Sequence, residues 1–129
     1  MDLDLHIARD LTAPAEARQA ISNLRGRVDA DVVGDTMLLV SELVSNSVKY
    51  GEGDETLLRV RTRGTRHILV EVLNQGDGFA PRVKRPARLQ AGGFGLHLVD
   101  EIASAWGVHP GTAHVWFEID RSDDLAAAA

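Results

Sequence analysis

The sequence predicts an α+β fold, a two-layer α/β sandwich in which helices cover one face of a mixed sheet. Two observations carry this. Some segments alternate apolar and polar residues, as half-buried strands do, while others repeat at helical intervals. Their order is strand, two helices, two strands, loop, helix, strand. That order lacks the strict alternation of a doubly wound parallel sheet, so the helices are expected together on one side. At 129 residues the chain is expected to be a single domain, 1–129, with about 121–129 a ragged tail.

Residues 3–9, LDLHIAR, alternate as a strand. APAEARQAISNLRGRV follows, with Ala13, Ala17, Ala20, Ile21, Leu24 and Val28 at helical spacing. Asp29 to Asp31 break it, and a second helix spans about 31–50 and stops at Gly51. GEGDE reads as a turn. TLLRVRTR and RHILVEVLN form a hairpin about Gly64–Thr65. Residues 74–95 read mostly as loop, punctuated by five glycines and two prolines. FGLHLVDEIASAW is a third helix with Leu96, Val99, Ile102, Ala103 and Trp106 on one face. GVHPGT turns into a last strand, AHVWFEI.

Composition narrows the function. Hydrophobic residues at 44% and charged residues at 26% fit a globular chain. A net charge of −5 and 5% aromatics argue against nucleic acid or an anionic membrane as partner. No cysteine is present, so disulfides and thiolate metal sites are excluded. MDLDLHIARD lacks a signal-peptide core, and the longest apolar run, MLLV, is too short to span a bilayer. The expectation is a soluble, cytoplasmic protein. The five histidines show no metal spacing.

The second helix contains SELVSNSVKYG. Residues four apart on a helix lie about 40° apart around its axis, so Glu42, Asn46 and Lys49 share a face opposite Met37, Val40, Leu43, Val44 and Val48. The Asn46 amide oxygen suits a hard cation such as Mg²⁺, and the Glu42 carboxylate can take a proton from an attacking hydroxyl or water. A plain solvated face gives the same pattern. Two glycine clusters follow, Gly76 and Gly78 after a strand, and Gly92, Gly93 and Gly95 before a helix. Glycine lets a backbone approach a ligand, and a glycine loop at a helix N-terminus offers N–H groups to phosphate. Each cluster alone is also what an ordinary turn contains. Neither a P-loop nor a dinucleotide fingerprint is present.

Taken together, these elements resemble the GHKL ATP-binding superfamily, and within it the small anti-sigma-factor serine/threonine kinases. LLVSELVSNSVKYG is similar to the Asn-box helix, VEVLNQGDGFAP to the D-x-G-x-G box, AGGFGLHLVDEIASAWGV to the second glycine box and its helix, and PGTAHVWFEI to the Gly-Thr turn into the final strand. The resemblance covers about residues 10–120. It implies ATP and Mg²⁺ as cofactors, held under a lid. Asn46 would hold Mg²⁺ and Glu42 would be the general base. The nucleotide would be bound by Asn46, Lys49, Asn74, Gly76, Gly78, Gly92, Gly93, Phe94, Gly95, Leu96 and Thr112. The implied partners are a sigma factor, which the chain sequesters, and an anti-anti-sigma protein, which it phosphorylates on a serine. A homodimer is also implied.

Two features set this sequence apart. Asn74 stands where the family's box begins with Asp. An amide makes a neutral, weaker bond to the adenine amino group than a carboxylate does. By turning round it can also donate to a guanine carbonyl, so weakened or relaxed nucleotide selection is expected. The lid, APRVKRPARLQ, carries Arg82, Lys84, Arg85 and Arg88, which suit a phosphate or an acidic partner face or are simply solvated. The alternative function is a non-catalytic binding regulator, nucleotide-responsive or nucleotide-free. The catalytic half of a histidine kinase is less suited, because no hairpin with an acceptor histidine precedes the domain.

Overall fold

The computed structural model describes residues 1–50, 52–75, 96–108 and 114–123. Among them are three helices, α1 (Ala13–Ser22), α2 (Ala30–Tyr50) and α3 (Leu96–Ile102). Five strands, β1 (Asp2–Ala8), β2 (Glu52–Arg63), β3 (His67–Gln75), β4 (Ala105–Val108) and β5 (His114–Asp120), form one sheet in the order β1-β2-β3-β5-β4. The helices line one face, as expected for the two-layer sandwich.

The sheet is antiparallel at every described neighbour pair, not mixed. The reason is topological. Two helices, not one, separate β1 from β2, so the chain crosses the layer twice before it re-enters. The β3–α3–β4 unit does run parallel in direction, but β5 folds back from β4 and inserts between the two strands.

Three element boundaries also differ from the sequence reading. The helical run to Val28 stops at Ser22, with Asn23 as its cap, and Gly26, at a φ of 92° that no helix contains, bars it from reaching Val28. EGDE, residues 52–55, is not a free turn. It lies in β2, where the register shifts between Glu52 and Thr56 and Gly53 takes a φ of 84°, as a bulge does. The third helix ends at Ile102, and Ala105–Val108 pairs with β5 as a strand. The β-branched and aromatic side chains there suit a pleated surface better than another helical turn.

The strand alternation builds the core. Val60 and Leu58 of β2, Ile68, Val70 and Val72 of β3, and Val115, Phe117 and Ile119 of β5 share the inner face and are buried. Above them lie Val32, Val33, Leu39, Val40, Leu43 and Val44 of α2, with Ala13, Ala17 and Ile21 of α1. Leu96 and Val99 of α3 are buried in the same cluster, while Ile102, Ala103 and Trp106 pack partly buried against it. Trp106 faces inward, opposite Phe117, and its Nε1 donates to Asp100 of α3 at 2.9 Å. Trp116 faces the other way, opposite Gly107. A Cβ on Gly107 would lie 2.8 Å from the indole Nε1, so the glycine makes room for the ring. The outer face otherwise carries charge, including His67–Glu118 at 2.5 Å, His114–Glu71 at 2.8 Å and Arg61–Asp4 at 3.0 Å.

Guanidinium groups fix both ends of α2. At its start, Arg66 donates to Asp29 at 2.8 Å and to both carboxylate oxygens of Asp31 at 3.2 Å. Arg121 donates to Asp31 at 3.1 Å and Asp35 at 2.5 Å. At the far end, Arg9 donates from Nε to the Ser47 carbonyl at 2.8 Å, from one terminal nitrogen to the Val48 carbonyl at 3.0 Å, and from the other to the Gly53 carbonyl. A helix C-terminus leaves such carbonyls without intrahelical partners and favours a cation.

Phe117→Ala is expected to lower stability by roughly 3–5 kcal/mol in chemical denaturation, as deletion of a buried ring does. Arg9→Ala should cost roughly 1.5–3 kcal/mol, because the carbonyls it serves lose a charged donor. Bonding to Arg66, and then to Arg121, holds the Asp31 carboxyl below its usual range. The stability it contributes is therefore complete above the ordinary carboxylate pKa of about 4 and is lost as pH falls through the depressed value. Melting curves recorded against pH should show a shallower acid decline in Arg66→Ala than in the native protein.

Candidate nucleotide site

The apolar rows of the inner face stop at the same end of the molecule. On β3 the row Ile68, Val70, Val72 continues to Asn74, and on β2 the row Val60, Leu58 continues to Thr56. These two polar residues are register partners. On α2, the stripe that includes Leu39 and Leu43 continues to Asn46 and Ser47, both buried. Strand register and helix periodicity therefore bring four polar side chains to the edge of an apolar core.

Asn46 is 2% exposed, and its Nδ2 is buried with no hydrogen-bond partner among the described residues. Leaving a buried amide N–H unmade costs about 1–3 kcal/mol. A bound ligand or an ordered water is the kind of partner that completes such an atom. The carboxamide meets such a ligand through Nδ2 toward a phosphate oxygen or, turned round, through Oδ1 toward a hard cation. Asn46 thus fits both an anionic phosphate and Mg²⁺. No cluster of three or more His, Asp or Glu that would hold a metal by itself exists among the described residues, so a cation here would rely on the phosphates for its remaining charge.

Glu42 is one helical turn before Asn46, half-buried, with no hydrogen-bond or ion-pair partner among the described residues. A carboxylate so placed can accept a proton. Lys49 is exposed in the last turn of α2, where its charge complements the helix dipole. Asn46 therefore lies on the buried side of α2 with Leu39 and Leu43 and not opposite it as the sequence suggested, because at about 100° per residue these three fall within about 60° of one another, while Glu42 is half-buried and Lys49 exposed.

Asn74 is half-buried. Its Oδ1 lies against the hydroxyls of Ser47 and Thr56, the latter at 2.9 Å, and the two hydroxyls contact each other. Leu96 is 3% exposed and points into the core as the first residue of α3, leaving its backbone for any ligand contact. Gly76, Gly78, Gly92, Gly93, Phe94, Gly95 and Thr112 lie outside the described residues, as does the basic lid. Sequence reasoning missed Ser47, Thr56 and Arg9. A signal for the first two was present: each occupies an inward-facing position in its element and carries a hydroxyl where its predecessors carry hydrocarbon.

A model of the histidine kinase-like ATPase domain matches residues 7–119, and the chain belongs to that family, within the GHKL class of ATP-binding domains. A solved structure, that of the RsbU and RsbW domains of Rv1364c from Mycobacterium tuberculosis, matches 92% of this chain with a TM-score of 0.65 and 15% identity. This chain spans 31% of that one, and the likeness is one of fold. No described helix is long and apolar enough to cross a membrane.

Because the Asn46 Nδ2 has no partner, Asn46→Leu should leave the stability of the nucleotide-free protein unchanged or higher, within about 1 kcal/mol. ATP is expected to raise the melting temperature of the native protein, and the same change is expected to remove that rise when Mg²⁺ is present. Thermal melts with and without MgATP check both halves.

Proposed function

We propose that this chain binds ATP with Mg²⁺ and transfers the γ-phosphoryl group to a serine or threonine of an anti-anti-sigma partner, and that it sequesters a sigma factor. The observation that carries the reading is the buried, unpartnered Asn46 amide one turn from an unengaged Glu42. Family membership supports the ATP part. The RsbW domain in the name of the structural neighbour supports a partner-switching setting.

Transfer of this kind depends on positioning and charge stabilisation more than on covalent catalysis by the protein. The acceptor hydroxyl oxygen forms a bond to the γ-phosphorus while the bond from that phosphorus to the β–γ bridging oxygen breaks, releasing ADP. Glu42 takes the hydroxyl proton. Asn46 would hold Mg²⁺, which would supply neutralisation of phosphate charge. Asn74 meets the base, and the glycine clusters Gly76–Gly78 and Gly92–Gly95 serve the base and the phosphates. Phosphorylation would remove the anti-anti-sigma protein and leave the sigma factor held. A homodimer in the cytoplasm is part of the same reading. The second reading, a non-catalytic regulator, is favoured by the neutral Asn74 and opposed by the Glu42–Asn46 pair.

Incubation with radiolabelled ATP and a candidate serine-bearing partner tests this directly. Native protein should label the partner. Glu42→Ala should lower the rate by about 10²–10⁴, the usual worth of a general base, while still binding ATP. Undiminished transfer by Glu42→Ala would remove Glu42 from the role of base. ATP binding with no transfer to any partner would favour the regulator.

A further inference from the structure

We propose that the line Gly34–Leu38–Glu42 on the open side of α2 is the track on which the acceptor segment of a partner protein lies, so that the site selects a serine or threonine with apolar residues two and four positions away on one side of it. The inference rests on the phosphoryl-transfer reading above and deepens it, by naming what the acceptor segment must carry.

Two features of α2 have no explanation within the chain. Leu38 is 41% exposed in the middle of a helix whose other leucines, Leu39 and Leu43, are buried. The other large apolar residues so exposed among the described ones are Met1, at the chain start, and Leu11, in the turn before α1. One turn before Leu38, Gly34 occupies the helix interior, where glycine is disfavoured. Its φ is not positive, and a Cβ there would meet nothing within 4 Å. Neither backbone conformation nor packing therefore calls for a glycine. Close approach of another chain does.

Helix geometry aligns both residues with Glu42. Residues four apart are about 6 Å apart along the axis and about 40° apart around it. Leu38 and Gly34 thus lie about 6 and 12 Å from Glu42 along one slowly winding line. Residues flanking the line are engaged within the chain: Ser41 accepts from Arg18 at 2.7 Å, and Asp35 from Arg121 at 2.5 Å. Along the line itself Glu42 is unengaged, Leu38 offers hydrocarbon and Gly34 a notch.

An acceptor hydroxyl must come within hydrogen-bond reach of Glu42, so the segment that carries it crosses the surface around that residue. Toward the helix C-terminus α2 leads to Asn46 and the nucleotide. Toward its N-terminus it leads to Leu38. An extended segment rises about 3.3 Å per residue, and residues two apart point to the same side. Two residues span about 6.6 Å and four about 13 Å, close to the spacing of the helical turns. With its hydroxyl turned to Glu42, such a segment also turns its second residue onto Leu38 and its fourth into the notch at Gly34, which leaves room for a large side chain.

A positional-scanning library of serine-centred nonapeptides, incubated with the whole chain and radiolabelled ATP, tests this. The native protein should favour apolar over polar residues by about tenfold at the second and fourth positions on one side of the serine, the worth of partly burying an aliphatic side chain. Leu38→Lys should replace the apolar preference at the second position by one for Asp and Glu and keep that at the fourth. Gly34→Gln should do the reverse, losing the preference for large side chains at the fourth position alone. Gly34→Ala should raise the melting temperature by about 3–6 °C, as helix propensity dictates, yet lower the labelling of peptides with a large fourth residue. A glycine that served only the fold would not set stability against selection in this way. Calorimetry with ATP should give each variant the native affinity. A flat profile, or no labelled peptide from native protein that binds ATP, would overturn the proposal, as would a native profile retained in Leu38→Lys. A flat native profile together with a dimer that Leu38→Lys dissociates in sedimentation would assign the line to a second copy of the chain instead. If native protein does not bind ATP at all, the nucleotide reading fails first and this inference with it.

Discussion

The α2 helix is held at both ends by guanidinium groups, and the rest of the molecule is arranged around that restraint. Arg66 and Arg121 come from the start of β3 and the end of β5, and they meet a carboxylate cluster at the helix start. Arg9 comes from just beyond β1 and meets the carbonyls at the other end. Helix packing alone sets a crossing angle and a distance but tolerates sliding by a fraction of a turn. Polar contacts with fixed geometry at each end remove that freedom. The rotation of α2 decides whether Asn46 and Ser47 face the sheet, so these surface contacts act on the interior.

At the end of the core held by Arg9, hydrocarbon gives way to amide and hydroxyl within one residue step on each of three elements. A polar cluster in such a place is stable only when its members satisfy one another or wait for a ligand. Ser47, Thr56 and Asn74 do the first, while the Asn46 Nδ2 has no hydrogen-bond partner among the described residues. Asn74 accepts there through its Oδ1 from the Ser47 and Thr56 hydroxyls, as a carboxylate oxygen would, without a charge.

Much of the architecture was legible in the sequence because it rests on periodicity. The alternation of LDLHIAR, RHILVEVLN and AHVWFEI became β1, β3 and β5, and the apolar stripe of α2 became the centre of the core. What sequence missed depended on contacts between distant segments. The strand at Ala105–Val108 exists because β5 pairs with it, and four residues are too few to show a period. The bulge at Gly53 looked like a turn because glycine serves both. The Glu42–Asn46 spacing was readable from the helix. The burial of Asn46 was not, since it follows from where the end of α2 lies against β2. The Ser47–Thr56–Asn74 triangle joins a helix to two strands, and only the register of β2 with β3 closes it.

The chain has two tryptophans, and they occupy opposite faces of adjacent strands. Trp106 is turned inward, half-covered, and tied to Asp100 in the helix that follows the second glycine box. Trp116 lies over Gly107 on the charged outer face. The protein therefore carries two optical reporters of different character. The emission of one follows the polarity and packing beneath α3. That of the other follows whatever settles on the open side of the sheet. Substituting either indole by phenylalanine would leave a chain whose ultraviolet fluorescence speaks for a single side, so events on the helical side and events on the outer face can be timed separately without an attached dye.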